Sequence, residues 1–494
     1  MTLATMTLYI TIAAAIFTAV VTYYKHRQNT IWVTFVQSFV GILFIFSGYV
    51  KVVDPLGTSY KMEEYFQEFY TTFSESGLSF LAGIFPVLEH YALAFSIFII
   101  LFELILGIML LTGDKRRYAA WALLFISLIF TGLTGFTYLT GYVPEGVNFF
   151  DFAHWGPHDP NNMKVTDCGC FGDFIKIDAF TTFLKSAFLL IPSIILILKW
   201  RSMHRLFSPG IRRVITWVSI AGFFVYALSN FVWDLPDIDF RPFSKGTHLR
   251  EKRQAELDAM SNVKILSWKL QNKQSGEIVQ LPNDVYMKEF AKYPKAEWKV
   301  IGQEQTEPEV AKTKASDFEV TDKDGNDKSD EILDYEGYSI WVIAYRLKGG
   351  YEEREEHYLD TLFRMDTIRM SEDSIVVKKV VDKLVDKAHM VGTYLWDPDY
   401  IKAYTDRVNP LVEPAIKDGV RVFAVVGGAG PDQLESFAEA IGGIYPLYQA
   451  DDILLKTIVR SNPGVVLMKD GKILDKWHIK QLPSYQKLKE EYIR

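Results

Sequence analysis

Sulfur chemistry is scarce in this chain: 494 residues hold only two cysteines, Cys168 and Cys170, one residue apart. With no other cysteine in the chain, any redox or soft-metal chemistry points to that one loop. Basic residues are outnumbered too, with 53 Lys and Arg against 60 Asp and Glu and a net charge of −7. No basic patch breaks that balance, which argues against nucleic acid as a partner. The run Gly427-Gly428-Ala429-Gly430 is not followed by Gly-Lys-Ser/Thr, so it does not read as a phosphate loop. Internal repeats, low-complexity tracts and legible Ser/His/Asp or paired-carboxylate arrangements are all missing.

Long apolar runs are present, and they are confined to the first half. Six candidate spans cover 3–24, 31–50, 90–111, 118–140, 180–198 and 214–233. Each has about 19 to 23 residues, enough at about 1.5 Å per residue to cross about 30 Å of hydrocarbon. The first is too long for a signal-peptide core and carries its basic residues, Lys25 and Arg27, after it rather than before it, so a cleaved signal peptide is not expected. Basic residues cluster in alternate loops: Lys25 and Arg27; Lys115, Arg116 and Arg117; and five residues from Lys199 to Arg213. The positive-inside rule makes those loops cytoplasmic and puts both termini, the cysteine loop and everything after Trp233 outside. In a bacterium that is the periplasmic side of the inner membrane, where a disulfide is permitted.

Between the second and third spans, Tyr65, Phe66, Phe69 and Tyr70 suit an amphipathic helix on the membrane surface. After the sixth span, 235–243 reads as an extended exit segment packed on the membrane domain. Segments 264–270 and 277–281 flank a turn and predict a β-hairpin, and the polar stretch 303–313 reads as a linker. Beyond it the pattern alternates: strands at 338–345 and 421–426, helices at 375–387 and 431–441, and paired strands at 464–468 and 472–477. That order predicts an α/β domain. The stretch 350–410 is a large insertion with helix signals.

The cysteines sit in Asp167-Cys168-Gly169-Cys170-Phe171-Gly172-Asp173. A disulfide across one residue closes an awkward ring that is readily reduced, and Gly169 and Gly172 supply permissive backbone. The pair reads as a dithiol/disulfide that exchanges with a thiol partner or passes electrons towards a quinone. The alternatives are a loop staple, then half of a metal site completed by His154 or His158, or inert thiols. Asp167 and Asp173 work against thiolate formation. Glu103, in the middle of the third span, is costly as an isolated charge, with Lys51, Asp54 and Lys185 as candidate partners. Packing and snorkelling account for the same residues.

The cysteine motif followed by a span containing Lys185, the segment Ser47-Gly48-Tyr49-Val50-Lys51-Val52-Val53-Asp54-Pro55, and Glu103 before Gly107 resemble the MauE/DoxX group of membrane proteins. The resemblance implies a four-helix core over residues 31–200, with residues 1–30 and 201–233 as additional spans and residues 234–310 as an exit segment and small β region. It also implies thiol redox outside the cytoplasm. The exit segment is similar to a Bacteroidetes branch carrying a fused soluble domain. Residues 311–494 resemble a thioredoxin-like domain of the TlpA or peroxiredoxin type, with Pro463 as its cis proline and docking position. The family's Cys-x-x-Cys position falls on Leu347-Lys348-Gly349-Gly350, so dithiol chemistry within that domain is excluded. The readings that follow are a redox protein with an unidentified protein partner, a non-catalytic scaffold in envelope assembly or export, and a small transporter or lipid-site protein built on Glu103.

Overall fold

Apolar runs without charge or proline become helices, because in hydrocarbon only a helix satisfies its own backbone within one segment. The computed structural model describes residues 2–24, 30–165, 169–371 and 374–493. It divides into two units, Met1–Phe318 with Thr457–Ser461, and Glu319–Lys456 with Asn462–Arg494.

The first unit opens with α1 (Leu3–Tyr24), α2 (Ile31–Val53), α3 (Pro55–Ser74), α4 (Ile84–His90), α5 (Ala92–Thr112) and α6 (Arg116–Thr140). It continues with α7 (Ala179–Phe188), α8 (Leu190–Leu198), α9 (Pro209–Leu228) and α10 (Leu249–Ser261). Six spans are long and apolar enough to cross a membrane: α1, α2, α5, α6, α7 with α8, and α9 with the π turn that ends it at Trp233. The chain is a multi-pass membrane protein in contact with the lipid bilayer. The fifth span, expected as one helix, breaks at Leu189, three residues before Pro192, whose ring nitrogen has no hydrogen to donate.

α2 and α5 cross through small residues. A Cβ on Gly107 would lie 2.8 Å from the Gly41 carbonyl oxygen, and one on Gly48 would lie 2.7 Å from Leu104 Cγ, so the two backbones are in near contact. Outward-facing apolar residues such as Ile12, Ile16, Val214 and Trp217 are exposed, as lipid-facing positions should be. At the N-terminal half of α2, the Gln37 amide donates to the Leu110 carbonyl at 2.6 Å and accepts from the His204 backbone at 2.9 Å. Arg212, on α9, pairs at 3.4 Å with Asp114, two residues past the end of α5.

α3 forms as anticipated, N-capped by Asp54 with Pro55 at its first position. Its aromatic face is covered by protein: Tyr65 and Phe66 are buried with Ala92, Phe136 and Val165, and the Tyr65 hydroxyl meets Thr137 Oγ1 at 2.6 Å. The exit segment packs as expected, with the Phe240 ring 4.9 Å from Phe174 and Phe243 fully buried. A small antiparallel sheet follows in the order β2-β1-β3, from β1 (Ile265–Asn272), β2 (Ile278–Pro282) and, after α11 (Asn283–Glu289), β3 (Trp298–Gln305). The expected linker is therefore ordered at both ends. Its first residues pair with β1, while Thr313 gives its backbone N–H and hydroxyl to the buried carboxylate of Glu256.

The second unit contains β4 (Val320–Thr321), α12 (Ser329–Leu333), β5 (Tyr338–Ala344), β6 (Gly349–Ser371), β7 (Ser374–Trp396), α13 (Pro398–Ala403) and α14 (Asn409–Lys417). After these come β8 (Arg421–Gly427), α15 (Pro431–Ile441), β9 (Leu447–Ala450), α16 (Asp452–Ile458, whose last two residues fall in the first unit), β10 (Gly464–Lys469), β11 (Lys472–His478) and α17 (Tyr485–Tyr492). Six strands form one sheet in the order β11-β10-β5-β8-β9-β4. β5, β8 and β9 are parallel, whereas β10, β11 and β4 each run antiparallel to a neighbour. Val and Ile of the central strands meet Leu411 and Val412 of α14, Phe437 and Ile441 of α15, and Leu488 of α17 in one core.

The expected helix at 375–387 is instead part of β7. β6 and β7 pair over nearly their whole length as a two-stranded ribbon, inserted between β5 and the helices α13 and α14. Apolar doublets at Val376-Val377, Val380-Val381 and Leu384-Val385 imitate a helical period. Each doublet places one apolar residue on each face of the ribbon, with Val377, Val381 and Leu384 on one face and Val380 and Val385 on the other, and a bulge beside Leu362 and Phe363 changes the phase between the second and third.

Candidate functional site

At the C-terminal end of α2 the spacing of Ser47, Lys51 and Asp54 puts three polar side chains on successive turns. Lys51 and Glu103, on α2 and α5, are both buried and paired at 2.5 Å. Glu103 also accepts from the Ser47 hydroxyl at 3.1 Å, and that hydroxyl lies 3.1 Å from the Cys170 carbonyl oxygen. The Lys51 ammonium sits 5.1 Å from the Phe130 ring centroid. An ammonium, a carboxylate and a hydroxyl thus connect the interior of the helix bundle to the backbone of the cysteine loop. Isolated charges at such depth are expensive, and pairing is what makes both tenable.

Asp167 and Cys168 lie outside the described residues. Cys170 is half-buried and forms no disulfide among the described residues. Gly169 and Gly172 take φ of +58° and +51°, the left-handed conformation that favours glycine. Phe171 between them is fully buried, 6.1 Å from the Phe46 ring, and carries the Lys185 ammonium 4.5 Å above its face. Lys185 therefore serves the loop through Phe171. Residues from Gly169 to Thr182 line a recess of about one water's size beside Cys170.

Asp54 caps α3 through the Gly57 N–H at 3.2 Å and receives the Arg460 guanidinium through Nε at 3.0 Å and a terminal nitrogen at 2.9 Å. Arg460, from the Thr457–Ser461 segment of the same unit, also reaches Asp173 at 3.6 Å and lies 5.2 Å from the Tyr60 ring. Burial pushes the Asp54 carboxyl up. Arg460, then Arg241, and the bonds from Arg460 and Gly57 outweigh it and hold the carboxyl below its ordinary value. Arg460 is itself held above its usual range by Asp54 and Tyr60 against the effect of burial. Asp173 is thus no bare charge beside the thiols, which removes half of the electrostatic objection raised by the motif.

The candidate metal partners go elsewhere: His154 bonds Asp151 at 2.7 Å, and His158 stacks between Tyr138 and Tyr142. Pro463 belongs to the second unit, follows a cis peptide bond, and stands beside a closed polar knot. There the Asn462 amide donates to the Arg346 carbonyl at 2.6 Å, and the Tyr400 hydroxyl bridges Asn462 and Tyr404. Sequence reading overlooked Ser47 as an actor, although it begins the Lys51 motif. It overlooked Arg460 entirely, since nothing local marks that residue.

A family model described as methylamine utilisation protein MauE matches residues 27–144. The matched stretch contains α2 to α6, with Ser47, Lys51, Asp54 and Glu103, and ends before the cysteine loop. No curated protein and no solved structure matches the chain.

Proposed function

We propose that this MauE-like membrane protein performs thiol/disulfide exchange at the Cys168/Cys170 loop, on the outer face of a bacterial inner membrane. The observation that carries the reading is the chain of contacts from the Cys170 carbonyl through Ser47 to the buried Glu103–Lys51 pair. It offers polar, exchangeable groups directly beneath the only sulfur in the chain outside methionine. One thiolate of the pair attacks a partner disulfide and releases one partner sulfur, which takes up a proton. The second cysteine then displaces the other partner sulfur. The Cys168/Cys170 dithiol is thereby oxidised by two electrons to a disulfide, and the partner disulfide is reduced to two thiols.

The second unit reads as a thioredoxin-like adaptor without thiols. Supporting this are the parallel β5, β8 and β9 flanked by antiparallel β10 and β11, and the start of β6 at Gly349, where the family would carry its cysteines. Asn462, next to Pro463, is bound to the Arg346 carbonyl and the Tyr400 hydroxyl, so partner docking through the Asn462 side chain would require those bonds to break.

One observation favours a static scaffold instead: Phe171 is buried beneath Lys185 and pins the loop from within. Thiol trapping in native membranes separates the two. Mass-tag labelling before and after dithiothreitol, with Cys168→Ser and Cys170→Ser single variants, should give a mixed redox population and a partner-sized adduct in one variant. A fully oxidised, adduct-free bond would establish the scaffold.

A further inference from the structure

Outside the membrane-spanning helices, the β6–β7 ribbon is a large element whose apolar side chains stay uncovered among the described residues. Register places Leu359, Thr361, Phe363 and Met365 of β6 on the same face as Leu384, Val381 and Val377 of β7. Leu359 and Met365 are 66% and 69% exposed, and Phe363, Val377, Val381 and Leu384 are each at least half exposed. The opposite face alternates charges, with Asp360 on Lys387 at 2.6 Å. A two-stranded ribbon with one apolar face cannot bury that face by itself, and exposed strips of this size mark binding surfaces.

From this geometry we infer that the ribbon is a self-association arm, whose apolar face packs against the same face of a second copy, with base laid over tip. Two properties point to that occupant. The first is area: strands of 23 residues rising about 3.3 Å each, two strands wide, give a face of about 750 Å². That is close to the roughly 800 Å² per partner of a standard stable interface. The second is charge. On the packing face the base half carries Glu353 and Glu355, Asp386 stands beside Leu359 near the middle within 3.2 Å of His357, and the distal half carries Lys379, which reaches over the Phe363 ring at 4.1 Å. A two-fold axis across the middle of the ribbon brings Glu355 to the level of Lys379 of the second copy. The base-to-base alternative would oppose each glutamate with its own copy. A membrane surface is the poorer occupant, because an anionic bilayer would repel the four glutamates between Glu352 and Glu356 at the base.

Light scattering on the full-length protein in detergent solution should give the mass of two chains. Phe363→Asp with Leu384→Asp should reduce it to one chain while far-UV circular dichroism and thermal melting stay unchanged. Lys379→Glu should weaken association by about tenfold, the scale of one lost charge-assisted contact, and Glu355→Lys in the same chain should restore it. A single-chain mass for the unmodified protein, or a dimer that survives the double Asp variant, would overturn the inference. So would quenching by spin-labelled lipids of a fluorophore on Val381→Cys in a Cys168→Ser/Cys170→Ser background, which would lay the face on the bilayer instead.

Discussion

The two units bury polarity in opposite currencies. In the first, most of the buried charged side chains are ions in pairs, Lys51 with Glu103, Arg460 with Asp54, Arg241 with Asp239, and Arg212 with Asp114, set among neutral buried groups such as Gln37 and Thr137. In the second, among the described residues, the core polar groups are neutral. The Tyr400 hydroxyl meets those of Tyr404 and the Asn462 amide, and Tyr445 meets Asn409, while ion pairs such as Lys489–Asp418 and Lys387–Asp360 stay at the surface. Buried tyrosines held above their ordinary pKa by burial stay neutral near pH 7, so these hydroxyls act as hydrogen-bond partners rather than as charges. The second unit is built to hold shape.

Breaking that contrast should be most costly at its centre. Lys51→Met leaves Glu103 buried without its cation and should destabilise the first unit by about 3–5 kcal/mol, whereas Lys51→Met with Glu103→Leu should recover most of the loss. Thermal unfolding of the purified protein in detergent checks both. A double variant as unstable as the single would mean that the pair is not the unit of stability.

Arg460→Ala should cost less, about 1.5–3 kcal/mol, the range for hydrogen bonds to a charged group. It also carries a pH signature. Because the folded Asp54 carboxyl lies below its unfolded value near 3.8, its contribution is fully present above that pH and is lost as the pH falls through the lower folded value. Acid melting curves of the unmodified protein should therefore steepen below about pH 4, and those of Arg460→Ala should not.

In the second unit, Tyr404→Phe should cost only about 1 kcal/mol, since Tyr400 keeps Asn462 and the Arg346 carbonyl as partners. Chemical denaturation of the variant measures it. The smallest effect belongs to the surface: Lys489→Ala should leave the melting temperature unchanged, because its partner Asp418 is solvated.

Legibility from sequence followed the same divide. Six spans were readable because an apolar run of about 20 residues has no other common use. α15 was readable from Pro431 at its start and Gly442, at φ +59°, just past its end. Lys51, Asp54 and Glu103 stood out as charges in or beside apolar runs, and the structure joins two of them directly. Arg460 was invisible, because 406 positions separate it from Asp54 and only the folded chain brings the two together. The ribbon was misread because apolar residues on both faces of β7 fall in adjacent pairs four residues apart, which imitates a helical period. The β-branched run Ile375-Val376-Val377 and the pair Val380-Val381 were the signal that could have corrected it.

The close crossing of α2 and α5 at Gly41 and Gly107 has a mechanical consequence. Helices that touch backbone to backbone cannot slide or roll without collision, and Leu104, the neighbour of Glu103, is wedged against Gly48. Lys51 and Glu103 are thus clamped at fixed separation. Under the proposed thiol exchange, coupling between the cysteine loop and this pair would run through a proton or a change of field rather than a shift of helices.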